Sequence, residues 1–171
     1  MKHTLIPSCV ASAVLLVGCS STRTVLAPVG PNPAALAQNS NNGKLEVYSA
    51  VEECRDGNEF DIGPAWYEHT DYSVYDMKGQ RVQHVFNSAG HYDEAPSDIS
   101  LPAAKYVLRA EAEGFVHVEV PIVIERGRTT RVHLDAEWKP PVDASKSELV
   151  TLPNSYAVGW RALSPGTLDH P

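Results

Sequence analysis

Three clusters of side chains in this sequence have the types and spacing that chemistry requires. The first is His91, Asp93 and Glu94 in "HYDEAP": an imidazole and two carboxylates within four positions, a set able to ligate a metal ion. Its simpler reading, which we prefer, is a solvated acidic loop, because neither HExxH nor a Cys/His zinc spacing occurs. The second is "PAWYEHTDY", where Trp66 and Tyr67 stand beside His69 and Asp71. Loop aromatics with polar neighbours can stack on sugars or grip a partner, or they can simply cover one end of a β fold, and the latter is preferred. The third is Cys54, flanked by Glu52, Glu53 and Asp56. Neighbouring carboxylates raise a thiol pKa, so a reactive thiolate is not expected. With no GxSxG elbow either, the sequence predicts no catalytic residue, no cofactor and no metal, and therefore a protein that is not an enzyme.

Charge narrows the partners further. The formal net charge is −7, and Lys and Arg are scattered, so nucleic acid is not an expected partner.

These clusters sit on a chain whose texture changes three times. Residues 5–17 form an apolar run behind Lys2, as in a signal-peptide h-region. The run closes on Leu16-Val17-Gly18-Cys19 followed by two serines. That ending resembles the lipobox of bacterial lipoproteins. The resemblance implies a signal peptide over residues 1–18 and a Cys19 that carries a diacylglycerol thioether and, usually, palmitate or a similar acyl chain on its amine. It implies a lipid-anchored protein of the bacterial cell envelope whose first partner is the membrane. Ser20 does not match the aspartate that retains such proteins in the inner membrane of enteric bacteria, so the outer membrane is favoured.

Residues 19–42 hold three prolines and an Asn/Ser run, with no sustained period. They read as a flexible tether, with a root-mean-square reach of about 27 Å.

From Gly43 the pattern alternates with a period of two. Seven strands are expected, within 43–51, 71–76, 81–87, 98–101, 106–112, 116–125 and 129–135. The clearest is "VHVEVPIVIE", which should put Val116, Val118, Val120, Ile122 and Ile124 on one face and leave Glu119 on the solvent side. Pro121 lacks an amide donor, so this strand should lie at a sheet edge or be bulged at that residue. No segment has a helical period, and the expected class is all-β.

Leu101-Pro102, Tyr106 and Glu113-Gly114-Phe115, with the hairpin "YSVYDMKGQRV", make residues 98–135 resemble the second half of a carboxypeptidase-regulatory-like domain. Those domains are seven-stranded transthyretin-like (prealbumin-like) sandwiches of Ig-like architecture. Where the family has a turn glycine this chain has Ala104, which suggests another turn type. The fold also hosts a purine-pathway hydrolase with a C-terminal Tyr-Arg-Gly-Ser. The present chain reads Leu168-Asp169-His170-Pro171 there, so that activity is not expected.

The division read from the sequence is thus a signal peptide (1–18), a tether (19–42), a β-sandwich (43–136), and a linker with a C-terminal hairpin or tail (137–171). A chain beginning at Gly43 should fold. The expected function is a non-catalytic binding or structural module whose partner is another envelope protein or a glycan. The alternative is an accessory hydrolase or metal-binding protein built on the His69/Asp71 and His91/Asp93/Glu94 loops.

Overall fold

The computed structural model describes residues 24–54, 65–88 and 95–163. Cys19, the signal-peptide segment, the His91/Asp93/Glu94 cluster and the last eight residues lie outside the described residues. No helix among the described residues is long and apolar enough to cross a membrane.

The fold is all-β. All seven expected strands are present and divide between two sheets. β6 (Tyr72–Tyr75), β7 (Arg81–Val85), β9 (Lys105–Ala112) and β10 (Phe115–Val123) line up as β10-β9-β6-β7. The other three, β3 (Asn42–Tyr48), β8 (Asp98–Pro102) and β11 (Thr129–His133), form the sheet β11-β3-β8. Within it β3 and β11 run parallel. Alternation decides which residues go inside. Leu45 and Val47 of β3, Leu108 of β9, Val120 of β10 and Val132 of β11 are each fully buried. The buried faces of both sheets belong to one apolar cluster, the arrangement of a β-sandwich. Gly79, at φ +80°, closes the β6–β7 turn, and the Asp76 carboxylate accepts from the amides of Lys78 and Gln80.

Six further strands extend this frame. β12 (Leu149–Thr151) and β13 (Ala157–Arg161) form the C-terminal hairpin. β4 (Val51–Cys54) pairs with β5 (Trp66–His69) in a separate two-stranded ribbon, mostly between the first two expected strands. β1 (Thr24–Val25) and β2 (Val29–Gly30) come from the expected tether.

This last placement corrects the tether reading. Thr24–Val25 and Val29–Gly30 are strands of the large sheet. β1 pairs with β10 at Val118 and Glu119, β2 pairs with β10 at Ile122, and β2 also carries β13 on its other side. Val29 is fully buried and Leu26 nearly so. Residues 31–41 are held to the β10–β11 turn by Arg128, whose guanidinium donates to the carbonyls of Asn32, Pro33 and Ala35 at 2.7–3.1 Å. Gln38 donates its amide to the Gly127 carbonyl at 2.7 Å. The prolines and the lack of period concealed these strands, because a two-residue strand cannot display one.

β10 is corrected on two counts. It is an interior strand, flanked by β9 and by β1 and β2. The Glu119 carbonyl accepts from the Leu26 amide, so by alternation Pro121 turns its nitrogen to the same flank. There the partner strand passes from β1 to β2, and no ladder bond is lost. The register of β10 against β9 also shifts between Phe115 and Val118, so Val116 leaves the core row and is 73% exposed. Glu119 faces outward as expected, but its side chain is only 20% exposed and pairs with Arg109 at 2.8 Å. Ala104 does not take a positive φ, and its carbonyl accepts from the Ile124 amide.

Candidate functional site

The outer face of the three-stranded sheet carries a ladder of rings. Tyr48 and His133 are register partners on parallel strands β3 and β11, so their outward side chains are neighbours. The rings stack with centroids 4.5 Å apart and planes 17° from parallel. Beyond β11 the chain turns back through Ala136, which holds φ +62°, while the Asp135 carboxylate accepts from the Glu137 amide at 3.3 Å. The turn returns Trp138 onto the open face of His133, at 4.8 Å and 11°. Trp160 of β13 meets Trp138 edge-on at 6.3 Å.

A buried polar clamp holds the base of the ladder. The Asn87 side-chain amide donates to the Val47 carbonyl and to Ser49 Oγ, at 2.8 and 2.9 Å, and its oxygen accepts from the Ser97 amide. Ser49 Oγ in turn donates to the Thr70 carbonyl at 2.5 Å. Both Asn87 and Ser49 are buried, so pairing their polar atoms is what makes the burial tolerable. The Ser49 carbonyl accepts from His69 Nδ1 at 2.8 Å. The proton of neutral His69 therefore sits on Nδ1, leaving Nε2 as the acceptor. His69 meets Tyr48 edge-on at 5.8 Å.

Between the ladder and the β4–β5 ribbon lies a groove of about 540 Å³. Tyr48, His133 and Trp138 form one wall, and Val51, Tyr67 and His69 of the ribbon form the other. Asp135 and Glu137 also line it. A smaller hollow of about 290 Å³ lies on the Trp160 side of Trp138, with Arg131, Thr129, Asn32 and Gln38 on its walls.

Electrostatics follow from burial. Its partial burial, then the Arg131 charge and then His69, bring the His133 pKa down to about 4, so the ring is neutral at pH 7. Burial raises the Asp135 pKa, an effect opposed by the Glu137 amide and by His69.

Of the residues singled out in the sequence that are described, only Tyr67 and His69 line this groove. Trp66 alternates away from Tyr67 and donates its indole N–H to Glu68 at 2.8 Å. Asp71 turns elsewhere, accepting from the Asn87 amide at 3.1 Å and facing His84 Nε2 at 3.4 Å. His69 and Asp71 therefore do not share a constellation. Cys54 is a free thiol whose pKa is raised by desolvation first, and then by the Glu68 and Glu52 carboxylates. Among the described residues, no three His, Cys, Asp or Glu side chains group closely enough to hold a metal ion.

Sequence reasoning missed Tyr48, His133, Asp135, Glu137 and Trp138. Alternation along β11 turns Val132 and Leu134 inward and His133 outward. The pairing of β3 with β11, which joins His133 to Tyr48, leaves no local trace. No protein-family model matches the chain, and no curated protein or solved structure shows significant similarity to it.

Proposed function

We propose that this chain is a lipid-anchored protein of the bacterial cell envelope, favouring the outer membrane, that carries a non-catalytic, transthyretin-like binding module. The groove between the Tyr48–His133–Trp138 ladder and the β4–β5 ribbon carries this reading. It is an open, ring-lined concavity with converging polar groups, which suits recognition. The division of the seven central strands into sheets of four and three supports the transthyretin-like assignment. The lipobox at Cys19 supports the anchor. With Cys19 acylated, only residues 20–23 separate the lipid from β1, a span of at most about 18 Å. The module therefore sits close to the bilayer, with the β1 flank of the large sheet nearest the anchor. The hydrolase reading loses its footing at His69 and Asp71, which face different neighbours.

The test is site-specific photocrosslinking in intact cells. A crosslinker at Tyr67 should yield a discrete, identifiable adduct in the membrane fraction, lost on Trp138→Ala. The same group at the fully exposed Val142 should yield none. Equal labelling from both positions would refute the groove as the binding site.

A further inference from the structure

We propose that the Tyr48–Tyr67–Trp138 groove receives an alkylammonium group, held by the carboxylates of Asp135 and Glu137 among the surrounding rings. The inference rests on the groove being the binding site and names the chemistry of its ligand.

Two carboxylates of the groove, Asp135 and Glu137, lack a lysine or arginine partner among the described residues. Asp135 is half buried, and its carboxylate accepts from the Glu137 amide at the long distance of 3.3 Å. The cation nearest in sequence on β11, Arg131, lines the other hollow and is tied to Glu46 at 2.6 Å. Lys139 does not line the groove. Neither imidazole is a permanent cation, although His69 opposes the rise of the Asp135 pKa. His133 is clamped between two rings and neutral at pH 7. His69 spends its Nδ1 proton on the Ser49 carbonyl. A partly desolvated carboxylate without a cation is costly, and a cationic ligand would relieve that cost.

The rings point the same way. Tyr67 is half exposed, so part of its side chain is accessible to a ligand. Electron-rich faces beside carboxylates attract ammonium groups and repel phosphates and uronates. The volume of about 540 Å³ exceeds what an ammonium head alone would fill and leaves space for its alkyl chain. Such a group comes from a free amine or from a lysine-type side chain.

The experiment titrates the full-length, detergent-solubilised protein and follows the indole N–H resonance of Trp138, assigned through Trp138→Phe. Cadaverine represents the free amine and Nα-acetyl-lysinamide the side chain. 1-Pentanol and N-acetylglucosamine are the neutral controls. Saturable shifts with either amine, absent with both controls, are expected. Asp135→Asn should weaken amine binding by about tenfold or more, the loss typical of a charge-assisted contact. Glu137→Gln, at a site outside the apolar core, should weaken it less. The stronger of the two amines identifies the source. Equal binding of 1-pentanol, preference for N-acetylglucosamine, or unchanged affinity in both variants overturns the proposal. If amines fail while the Tyr67 crosslinker still captures its adduct, the ligand class is wrong and the groove stands. If both fail, both readings fall.

Discussion

Residues 24–42 and residues 98–135 contribute to the same core by opposite means. The second segment displays its structure locally. Tyr106, Leu108, Ala110 and Ala112 are buried in strict alternation on β9, and Val118, Val120 and Ile122 follow on β10. Each strand is long enough for its pattern to be unmistakable. The first segment has two strands of two residues, separated by Leu26, Ala27 and Pro28. It holds its place through its partners, which are the β10 flank, the β13 edge and the Arg128 guanidinium. A segment without internal order can be as integral to a fold as one with two long strands, provided the surface it docks on is already built.

The largest expected effect comes from removing the docked segment. A chain beginning at Gly43 loses Leu26 and Val29 from the core, and with β2 it loses the strand that joins β13 to β10. Burying a valine or leucine side chain contributes about 1.5–3 kcal/mol, and the β10 flank would also be left open. We expect no cooperative urea transition from the Gly43 form and a sharp one from the Thr24 form. Indistinguishable transitions would restore the tether reading and end the comparison.

Next comes Val120→Asp, which places an uncompensated charge at a fully buried position of the locally patterned segment. It should cost about 4 kcal/mol or more by urea unfolding. Glu119→Ala, one residue along, should cost about 0.5–1 kcal/mol, the scale of its ion pair with Arg109. A reversed order would mean that the register of β10 is wrong.

Gly127→Ala tests the seam between the two segments. Gly127 holds φ +65°, and a Cβ there would overlap the Gln38 carbonyl. Backbone strain and this clash together should cost about 3 kcal/mol. Amide exchange should rise over residues 31–41 while β9 remains protected. Uniform loss of protection would show that the docked segment has no separable stability.

The smallest effect is on the acid side, at the end of the patterned segment. The His133 pKa falls from its ordinary 6.5 to about 4 on folding. Below pH 6.5 the unfolded chain takes up a proton that the folded ring refuses. Stability from this group is therefore full above 6.5, declines as pH falls toward 4, and is constant below. Asp135, with its raised pKa, contributes in the opposite direction. The difference between the parent and His133→Phe isolates the histidine. That difference in melting temperature should shift in favour of the phenylalanine variant from pH 7 to pH 4.5. A pH-independent difference would mean that His133 is exposed to water.

How much of the site was legible follows the same division. Tyr67 and His69 drew notice because aromatic and imidazole groups are compressed into one short stretch. The same reasoning chose Trp66 and Asp71, which alternation and a turn carry to other neighbours. Trp138 looked like part of a polar linker, because its place in the site comes from stacking on His133, and only the Ala136 turn brings the two rings together.

By itself the sequence determined the all-β class, the seven central strands, and, for most of them, which face is apolar. Those follow from a period of two, which is a property of neighbours along the chain. Tertiary structure decided that residues 24–30 join the large sheet, that β10 is interior, and that Tyr48, His133 and Trp138 form one ladder beside Asp135. Each of these depends on which distant strand lies alongside which, and backbone pairing is chemically the same whatever the side chains. The choice among pairings is made by the packing of the whole core.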